Sequence, residues 1–218
     1  AIDTVKQTNA VKMQAKLTTL TSPMNYFNAL KAVSDVLDGY KDIYVVNEGA
    51  NTLDDTRNVI NMYRPRLRLD CGTWGVMGIG MGYAIAAAVT SGRQVVAIEG
   101  DSAFGFSGME IETICRYRLP VTVVVFNNGG IYRGNDPNLG GGADPSPTSF
   151  TPNARYDKLI EAFGGTAYNT TTPDELRTAL TAALTSHRPA LINCVIDPAV
   201  GTESGHIGNL NPKTVTPS

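Results

Sequence analysis

The sequence predicts an α/β fold in which an open, mainly parallel sheet carries helices on both faces. Short β-branched runs alternate along the 218-residue chain with segments whose apolar residues recur at helical spacing. The run from Val121 to Phe126 is β-branched up to its final phenylalanine, which is typical of a parallel strand buried on both faces. Strands that alternate with helices form βαβ units with right-handed crossovers, so we expect a layered domain of that type.

The first predicted helix begins at Ser22 and Pro23, which suit the N-cap and the first helical position, and it ends at Gly39. Apolar residues recur at helical spacing between Met24 and Leu37. The elements predicted next are a strand at 43–46, a loop at 47–52 leading into a short helix from Asn51 or Thr52, a strand at 66–69, a loop at 71–75 and a helix of small residues at 78–90.

The second half of the chain continues the alternation. A third strand at 95–98 leads directly into Gly100, Asp101 and Ser102. Thr172 and Glu175 form a capping box for a helix that begins at Pro173. The other predicted elements are a helix at 107–118 with Met109, Ile111, Ile114 and Cys115 on its apolar side, a strand at 121–126, a long irregular loop at 128–152, a helix at 156–163 and a last strand at 190–196.

The chain divides into three segments by composition. Residues 1–21 are a polar lead-in without a core pattern, which we interpret as a linker from a preceding domain. Residues 22–197 contain all the predicted strands and form the folded domain. Residues 198–218 are a tail that contains Gly, Asn and Pro and has no periodicity. This organisation resembles a piece of a longer protein.

Composition narrows the function classes. A net charge of −2 with 42% hydrophobic and 17% charged residues suits a globular protein and argues against a nucleic-acid partner, which usually requires a basic face. No apolar run approaches the roughly 20 residues that span a bilayer, so we expect no membrane segment. Of the three cysteines, Cys115 and Cys194 are expected to be buried free thiols, which suits a reducing cytoplasm.

Polar residues follow two of the predicted strands. Ligands of open parallel sheets bind beyond the carboxyl ends of the strands, so the loops after Val46, Leu69, Ile98 and Phe126 are candidates for one site. The Asp101 carboxylate, the Asn128 amide oxygen and a backbone carbonyl at Gly129 or Gly130 match the oxygen ligands of Mg²⁺. Each feature alone is as consistent with a turn, but a single βα unit joins the two halves and favours a metal site.

The spacing of these residues resembles a known cofactor motif. Gly100-Asp101-Ser102, then 24 residues, then Asn127-Asn128 is similar to the thiamine-diphosphate motif GDG…NN, with Ser102 in place of the third glycine. The segments 48–52, 100–113, 127–132 and 203–205 resemble the oxalyl-CoA decarboxylase family of thiamine-diphosphate-dependent enzymes. The resemblance runs from about residue 22 to the tail and corresponds to the C-terminal, diphosphate-binding domain of that family.

The resemblance implies roles for individual residues. Asp101, Asn128 and the Gly130 carbonyl would ligate a Mg²⁺ that bridges the two phosphates. Met77 would bend the cofactor into a V shape, and the Gly75 carbonyl would accept from its aminopyrimidine. The complete set of implied cofactor-binding residues is Ala50, Asn51, Thr52, Gly75, Val76, Met77, Ser102, Ala103, Asn128, Gly130, Ile131 and Tyr132.

Two catalytic residues are also implied by the resemblance. The hydroxyls of Tyr132 and Ser204 would face the substrate, with the tail at 198–218 lying over the active site. Relatives carry arginine two places after that serine, whereas this chain has His206, so a guanidinium role at this position is absent.

The implied activity is the decarboxylation of oxalyl-CoA to formyl-CoA and CO₂, a step of oxalate catabolism, with thiamine diphosphate and Mg²⁺ as cofactors. Members of the family activate the cofactor with a glutamate from the pyrimidine-binding domain of another subunit, which implies a homodimer or homotetramer. Neither Glu110 nor Glu112 fits that role, so we predict that the isolated chain is inactive. The alternatives are a 2-hydroxyacyl-CoA lyase and a non-catalytic module of the same fold.

Overall fold

A parallel sheet forms the centre of the computed structural model, which describes residues 2–131 and 148–200. Within these ranges the strands are β1 (Tyr44–Glu48), β2 (Arg68–Leu69), β3 (Val95–Gly100), β4 (Val121–Asn127), β5 (Thr166–Thr170) and β6 (Ala190–Val195). They form one six-stranded sheet in the order β2-β1-β3-β4-β6-β5, and every neighbouring pair is parallel. The predicted open parallel sheet is therefore confirmed.

Helices cover both faces of the sheet. The α-helices in the described ranges are α1 (Ile2–Thr18), α2 (Tyr26–Leu37), α3 (Ala50–Val59), α4 (Gly80–Ser91), α5 (Asp101–Ser107), α6 (Glu110–Arg116), α7 (Asp157–Glu161) and α8 (Pro173–Ser186). One apolar cluster packs α2, α3 and α8 against one face of the sheet. A second cluster packs α4, α5, α6 and α7 against the opposite face. Strand β4 is apolar along its length because both of its faces are buried. Val124 and Phe126 pack in the first cluster, and Val123 and Val125 pack in the second.

The first predicted helix start was wrong. Helix α2 begins at Tyr26, and its cap is Asn25, whose side chain accepts from the backbone N–H of Asn28 at 2.9 Å. Met24, the residue before this cap, is held at the end of the sheet instead. Its carbonyl accepts from the N–H of Asp197, just after β6. A helix beginning at Ser22 would lose that contact.

The helix predicted at 107–118 is the shorter helix α6, and a separate helix, α5, precedes it. Helix α5 starts at Asp101, directly after β3, and a turn at Gly108 and Met109 separates it from α6. The predicted apolar side is correct at Ile111 and Ile114, which are fully buried, but wrong at Met109, which is 65% exposed in that turn. Cys115, expected to be buried, lies on the half-exposed side of α6, whereas Cys194 is buried as expected; all three cysteines are free.

Two helices and one strand were not predicted: α1, α5 and β5. Residues Ile2–Thr18 form helix α1, although none of its residues is buried, which agrees with the missing core pattern. Strand β5 is an edge strand of mixed residues whose side chains are mostly half-buried, so its sequence carries little hydrophobic signal. The strands and helices predicted elsewhere are present, with shifted ends. No helix in the described ranges has the length and apolarity needed to cross a membrane.

The capping box of α8 is present as predicted. The Thr172 hydroxyl accepts from the Glu175 N–H at 3.3 Å, and the Glu175 carboxylate accepts from the Thr172 N–H at 3.2 Å. Thr172→Ala removes one half of this exchange, so we expect the opening free energy of α8 to fall by about 1 kcal/mol. Hydrogen exchange of the α8 amides in the complete protein measures this difference.

Thr178→Ala is the matched control for that prediction. Thr178 is an exposed residue inside α8, and its hydroxyl only back-bonds to the Asp174 carbonyl. We expect its replacement to change the same free energy by less than about 0.5 kcal/mol. Equal effects of the two substitutions would show that the capping box does not stabilise the helix.

Candidate cofactor site

The carboxyl ends of three adjacent strands form one cleft. Strands β1, β3 and β4 are neighbours in the sheet, and the loops that follow them meet above its edge. The connection after β2 also reaches the cleft, through Met77. Ten residues predicted for the site line it: Ala50, Asn51, Thr52, Met77, Asp101, Ser102, Ala103, Asn128, Gly130 and Ile131. The remaining lining residues are Tyr26, Gly49 and Gly100.

Two predicted residues in the described ranges do not line the cleft. Gly75 and Val76 belong to the segment that carries Met77, but they do not line the cleft, and the Val76 side chain is 43% exposed. Tyr132 and Ser204, predicted as catalytic, lie outside the described residues, as does His206.

Asp101 joins two of the loops through its carboxylate. It is the first residue of α5, and only 2% of its surface is exposed. Its Oδ1 accepts from the Ser102 N–H at 2.7 Å, and its Oδ2 accepts from the Gly129 and Gly130 N–H groups at 2.9 and 3.1 Å. The loop after β4 is therefore fastened to the end of β3 by one side chain.

The environment of Asp101 suits a bound cation. Burial raises the pKa of Asp101 to about 7, even though the surrounding backbone N–H groups act in the opposite direction. A nearby positive charge would compensate for this burial, and the buried Asn128 and the Gly130 backbone lie in the same cleft. No group of three or more His, Cys, Asp or Glu residues in the described ranges could hold a metal. A metal at Asp101 would therefore need amide, carbonyl and phosphate oxygens, which is the set that Mg²⁺ accepts.

The other side of the cleft is built for an anion. Helix α3 begins at Ala50, and its N-cap residue Gly49 has no side chain to satisfy the first amides of the helix. Backbone N–H groups at a helix start attract phosphate. Gly49 has a φ of 112°, and a Cβ placed there would lie 3.3 Å from the Gly100 nitrogen. The β1 and β3 loops can approach this closely because both positions are glycine.

Met77 stands at the edge of the cleft. Its sulfur is 4.0 Å from the Ser102 hydroxyl oxygen, and its side chain is 37% exposed. It follows the left-handed Gly75 and precedes Gly78, whose φ is 96°. The segment between these glycines can thus carry an exposed methionine beside the anion-binding end.

Sequence reasoning missed Tyr26. This residue is 5% exposed, stacks on Phe126 with ring centroids 5.9 Å apart, and lines the cleft beside Thr52. Burial raises the pKa of its hydroxyl, while hydrogen bonds to Thr52 and Asn51 act to lower it. Nothing in the helical pattern around Tyr26 distinguished it from a core residue. Glu48 and Glu99, behind the cleft, were also given no role.

The comparisons with known proteins agree on the family. Residues 49–194 match the family model described as thiamine pyrophosphate enzyme, C-terminal TPP binding domain; thiamine pyrophosphate is another name for thiamine diphosphate. The chain is 70% identical over 210 residues to an oxalyl-CoA decarboxylase of Escherichia coli K12, which covers 96% of the chain and 37% of that protein. It is 50% identical over 212 residues to a 2-hydroxyacyl-CoA lyase of Arabidopsis thaliana, covering 93% of the chain and 37% of that protein.

Solved structures agree on the fold. The benzoylformate decarboxylase from Polynucleobacter necessarius superposes with a TM-score of 0.65 over 82% of this chain and 34% of that one, at 22% identity. The chain thus spans just over a third of the length of the relatives it matches.

The close approach at Gly49 leads to a testable expectation. Gly49→Ala forces a side chain into a left-handed conformation and against the β3 loop. We expect a loss of about 1–3 kcal/mol of stability, the usual cost of such backbone strain. Thermal melting of the complete protein measures it.

Gly105→Ala serves as the control because Gly105 lies in α5, with no atom within 4 Å of an added Cβ. That substitution is expected to leave the melting temperature unchanged or to raise it, since alanine is the better helix former. A Gly49→Ala protein as stable as wild type would contradict the described packing of the two loops.

Proposed function

The chain belongs to the thiamine pyrophosphate enzyme family, as a C-terminal TPP binding domain, and from this premise we propose that it is the diphosphate-binding part of an oxalyl-CoA decarboxylase. The proposed reaction converts oxalyl-CoA to formyl-CoA and CO₂. The observation that carries the proposal is the buried Asp101 carboxylate. It lies in a cleft that is also lined by the amide side chain of Asn128 and by the start of α3.

The metal would be held at the ends of β3 and β4. Asp101, the Asn128 side chain and the Gly130 carbonyl are the proposed Mg²⁺ ligands, and phosphate oxygens and water would complete the octahedron. The hydrogen bonds from Gly129 and Gly130 to Asp101 support this arrangement, since they hold the β4 loop against the carboxylate.

The diphosphate would lie between two helix starts. Residues Ala50 to Thr52 begin α3, and Ser102 and Ala103 lie in the first turn of α5. The backbone N–H groups of Ala50 to Thr52 and of Ala103 suit the phosphates, with the Ser102 side chain and the Tyr26 hydroxyl nearby. Bound thiamine diphosphate supplies the electron sink that decarboxylation requires. Met77, Gly75 and Ile131 are proposed to orient its rings.

The substrate assignment rests on the relatives. The greater identity to the bacterial decarboxylase favours oxalyl-CoA over the substrates of a 2-hydroxyacyl-CoA lyase, which remains the second candidate at 50% identity. Tyr132 and Ser204 are proposed to hold the substrate carboxylate or a water near the reacting carbon. His206, where other members carry arginine, has no assigned part in this step.

A second domain is proposed to complete the site. Large apolar side chains are exposed on the segments that carry Met77 and Ser102: Trp74, Phe106 and Met109 are 90%, 67% and 65% exposed. A surface of this kind marks a contact with another domain or subunit. We propose that a pyrimidine-binding domain of another subunit covers it and supplies the activating glutamate, in a cytoplasmic homodimer or homotetramer, and that the isolated chain has no turnover.

Cofactor binding separates the enzyme from a non-catalytic module of the same fold. In the complete protein, Asp101→Ala should weaken binding of thiamine diphosphate with Mg²⁺ by about 10- to 100-fold, the usual cost of damaging a metal site. Isothermal titration calorimetry measures the affinity. Asp174→Ala is the control, because this carboxylate is 94% exposed on α8, and it should bind as wild type does. Equal affinities of all three proteins would refute the metal assignment.

Product analysis separates the two enzyme candidates. The complete protein incubated with oxalyl-CoA, thiamine diphosphate and Mg²⁺ should release CO₂ and formyl-CoA in equal amounts, detected by chromatography and mass spectrometry. Cleavage of a 2-hydroxyacyl-CoA without release of CO₂ from oxalyl-CoA would support the lyase and overturn the decarboxylase.

A further inference from the structure

Two glutamates lie side by side behind the cleft, and the proposed chemistry uses neither. Glu48 ends β1, and Glu99 is its register partner on the adjacent strand β3. Their side chains are 1% and 0% exposed. Buried carboxyl groups are costly unless each has a partner, so this pair needs a physical explanation.

Glu48 finds its partners in the connection to α4. Its Oε1 accepts from the Gly78 N–H at short range and from the Ile79 N–H at 3.2 Å, and its Oε2 accepts from the Gly80 N–H at 2.5 Å. These are the amides at the start of α4, whose N-cap residue, Ile79, has no side-chain acceptor. The Glu48 carboxylate, from strand β1, therefore caps α4 and lies at the positive end of the helix dipole.

Glu99 closes the pair from the other side. Neither of its carboxyl oxygens accepts a hydrogen bond from another described group. Both carboxyl groups press against Gly80, where an added Cβ would fall inside contact distance of each of them. Glu99 therefore packs beside Glu48 without taking part in the hydrogen bonds to the three amides.

The amides held by Glu48 fix the position of Met77. Gly78 follows that residue directly, and an added Cβ at Gly78 would lie 2.9 Å from the Phe106 Cβ, so its left-handed turn is confined by α5. Glu48 is also the neighbour of Gly49 in the sequence, and Gly49 is the N-cap of α3 at the anion-binding end of the cleft. Glu48 thus connects the segment that follows Met77 to the start of α3.

We propose that Glu48 is a positioning residue: its carboxylate fixes residues 78–80 and thereby sets the distance between Met77 and the diphosphate end of the cleft. The inference rests on the proposed function, because it takes Met77 to orient the bound cofactor. Glu48 itself does not line the cleft.

The test compares Glu48→Gln and Glu99→Gln in the complete protein. The substitutions are isosteric and both sites are buried on adjacent strands, but only the first places an NH₂ group against backbone N–H donors. Without cofactor, Glu48→Gln should exchange the amides of residues 78–80 faster than wild type in hydrogen-exchange mass spectrometry. Glu99→Gln leaves the Glu48 carboxylate and its three amides in place and should exchange them nearly as wild type does. Glu112→Gln, on the exposed side of α6, controls for loss of a carboxylate.

The loaded enzyme provides the second readout. Glu48→Gln should keep its affinity for thiamine diphosphate and its KM for oxalyl-CoA, since the groups proposed to hold both are intact. Its kcat should fall by about 100-fold, as a misplacement of about 1 Å costs. Glu99→Gln should lose much less.

The outcomes separate this inference from the proposed function. A wild-type protein that binds no thiamine diphosphate overturns the proposed function, and the exchange experiment still decides whether Glu48 holds residues 78–80. Unchanged exchange in Glu48→Gln overturns the inference. A parallel loss of cofactor affinity, kcat and melting temperature in Glu48→Gln also overturns it, because Glu48 would then act only in stability.

Discussion

The Asp101 carboxylate is the interaction on which the rest of the site depends. It lies where β3 ends, accepts from the amides of Ser102, Gly129 and Gly130, and so holds the β3 and β4 loops at a common edge. Burial works against its charge, as its raised pKa indicates. The backbone is therefore arranged around a buried carboxylate whose charge a cation would help to compensate, which is the physical argument for the proposed Mg²⁺.

The buried carboxylates of Glu48, at the end of β1, and Asp101, just after β3, are stabilised in different ways. Glu48 is enclosed behind the cleft and is satisfied by three amides at the start of α4, so it has no requirement for a ligand. Asp101 lines the cleft, where the metal and the diphosphate are proposed to bind. Under these proposals the same residue class serves for alignment at one strand end and for ligand binding at the next, because the two ends differ in access to the cleft.

The departure from the GDG motif has a simple structural meaning. The third position acts through its backbone, since the Ser102 N–H donates to Asp101, and the serine side chain points to the Met77 sulfur 4.0 Å away. A small residue whose backbone N–H can donate to Asp101 meets that requirement. This is consistent with membership in the family at 70% identity to an oxalyl-CoA decarboxylase, despite the altered motif.

The sequence by itself determined the features that depend on neighbouring residues: the buried parallel strand at β4, the capping box of α8, and the acid and amide that follow β3 and β4. Tertiary structure decided the features that depend on distant residues. The Met24 carbonyl is taken by Asp197, which moves the start of α2 to Tyr26, and β5 is a strand because it pairs with β6. The pairing of Glu48 with Glu99 required the alignment of two strands whose paired residues are 51 positions apart in the sequence, and neither strand's own residues specify the partner.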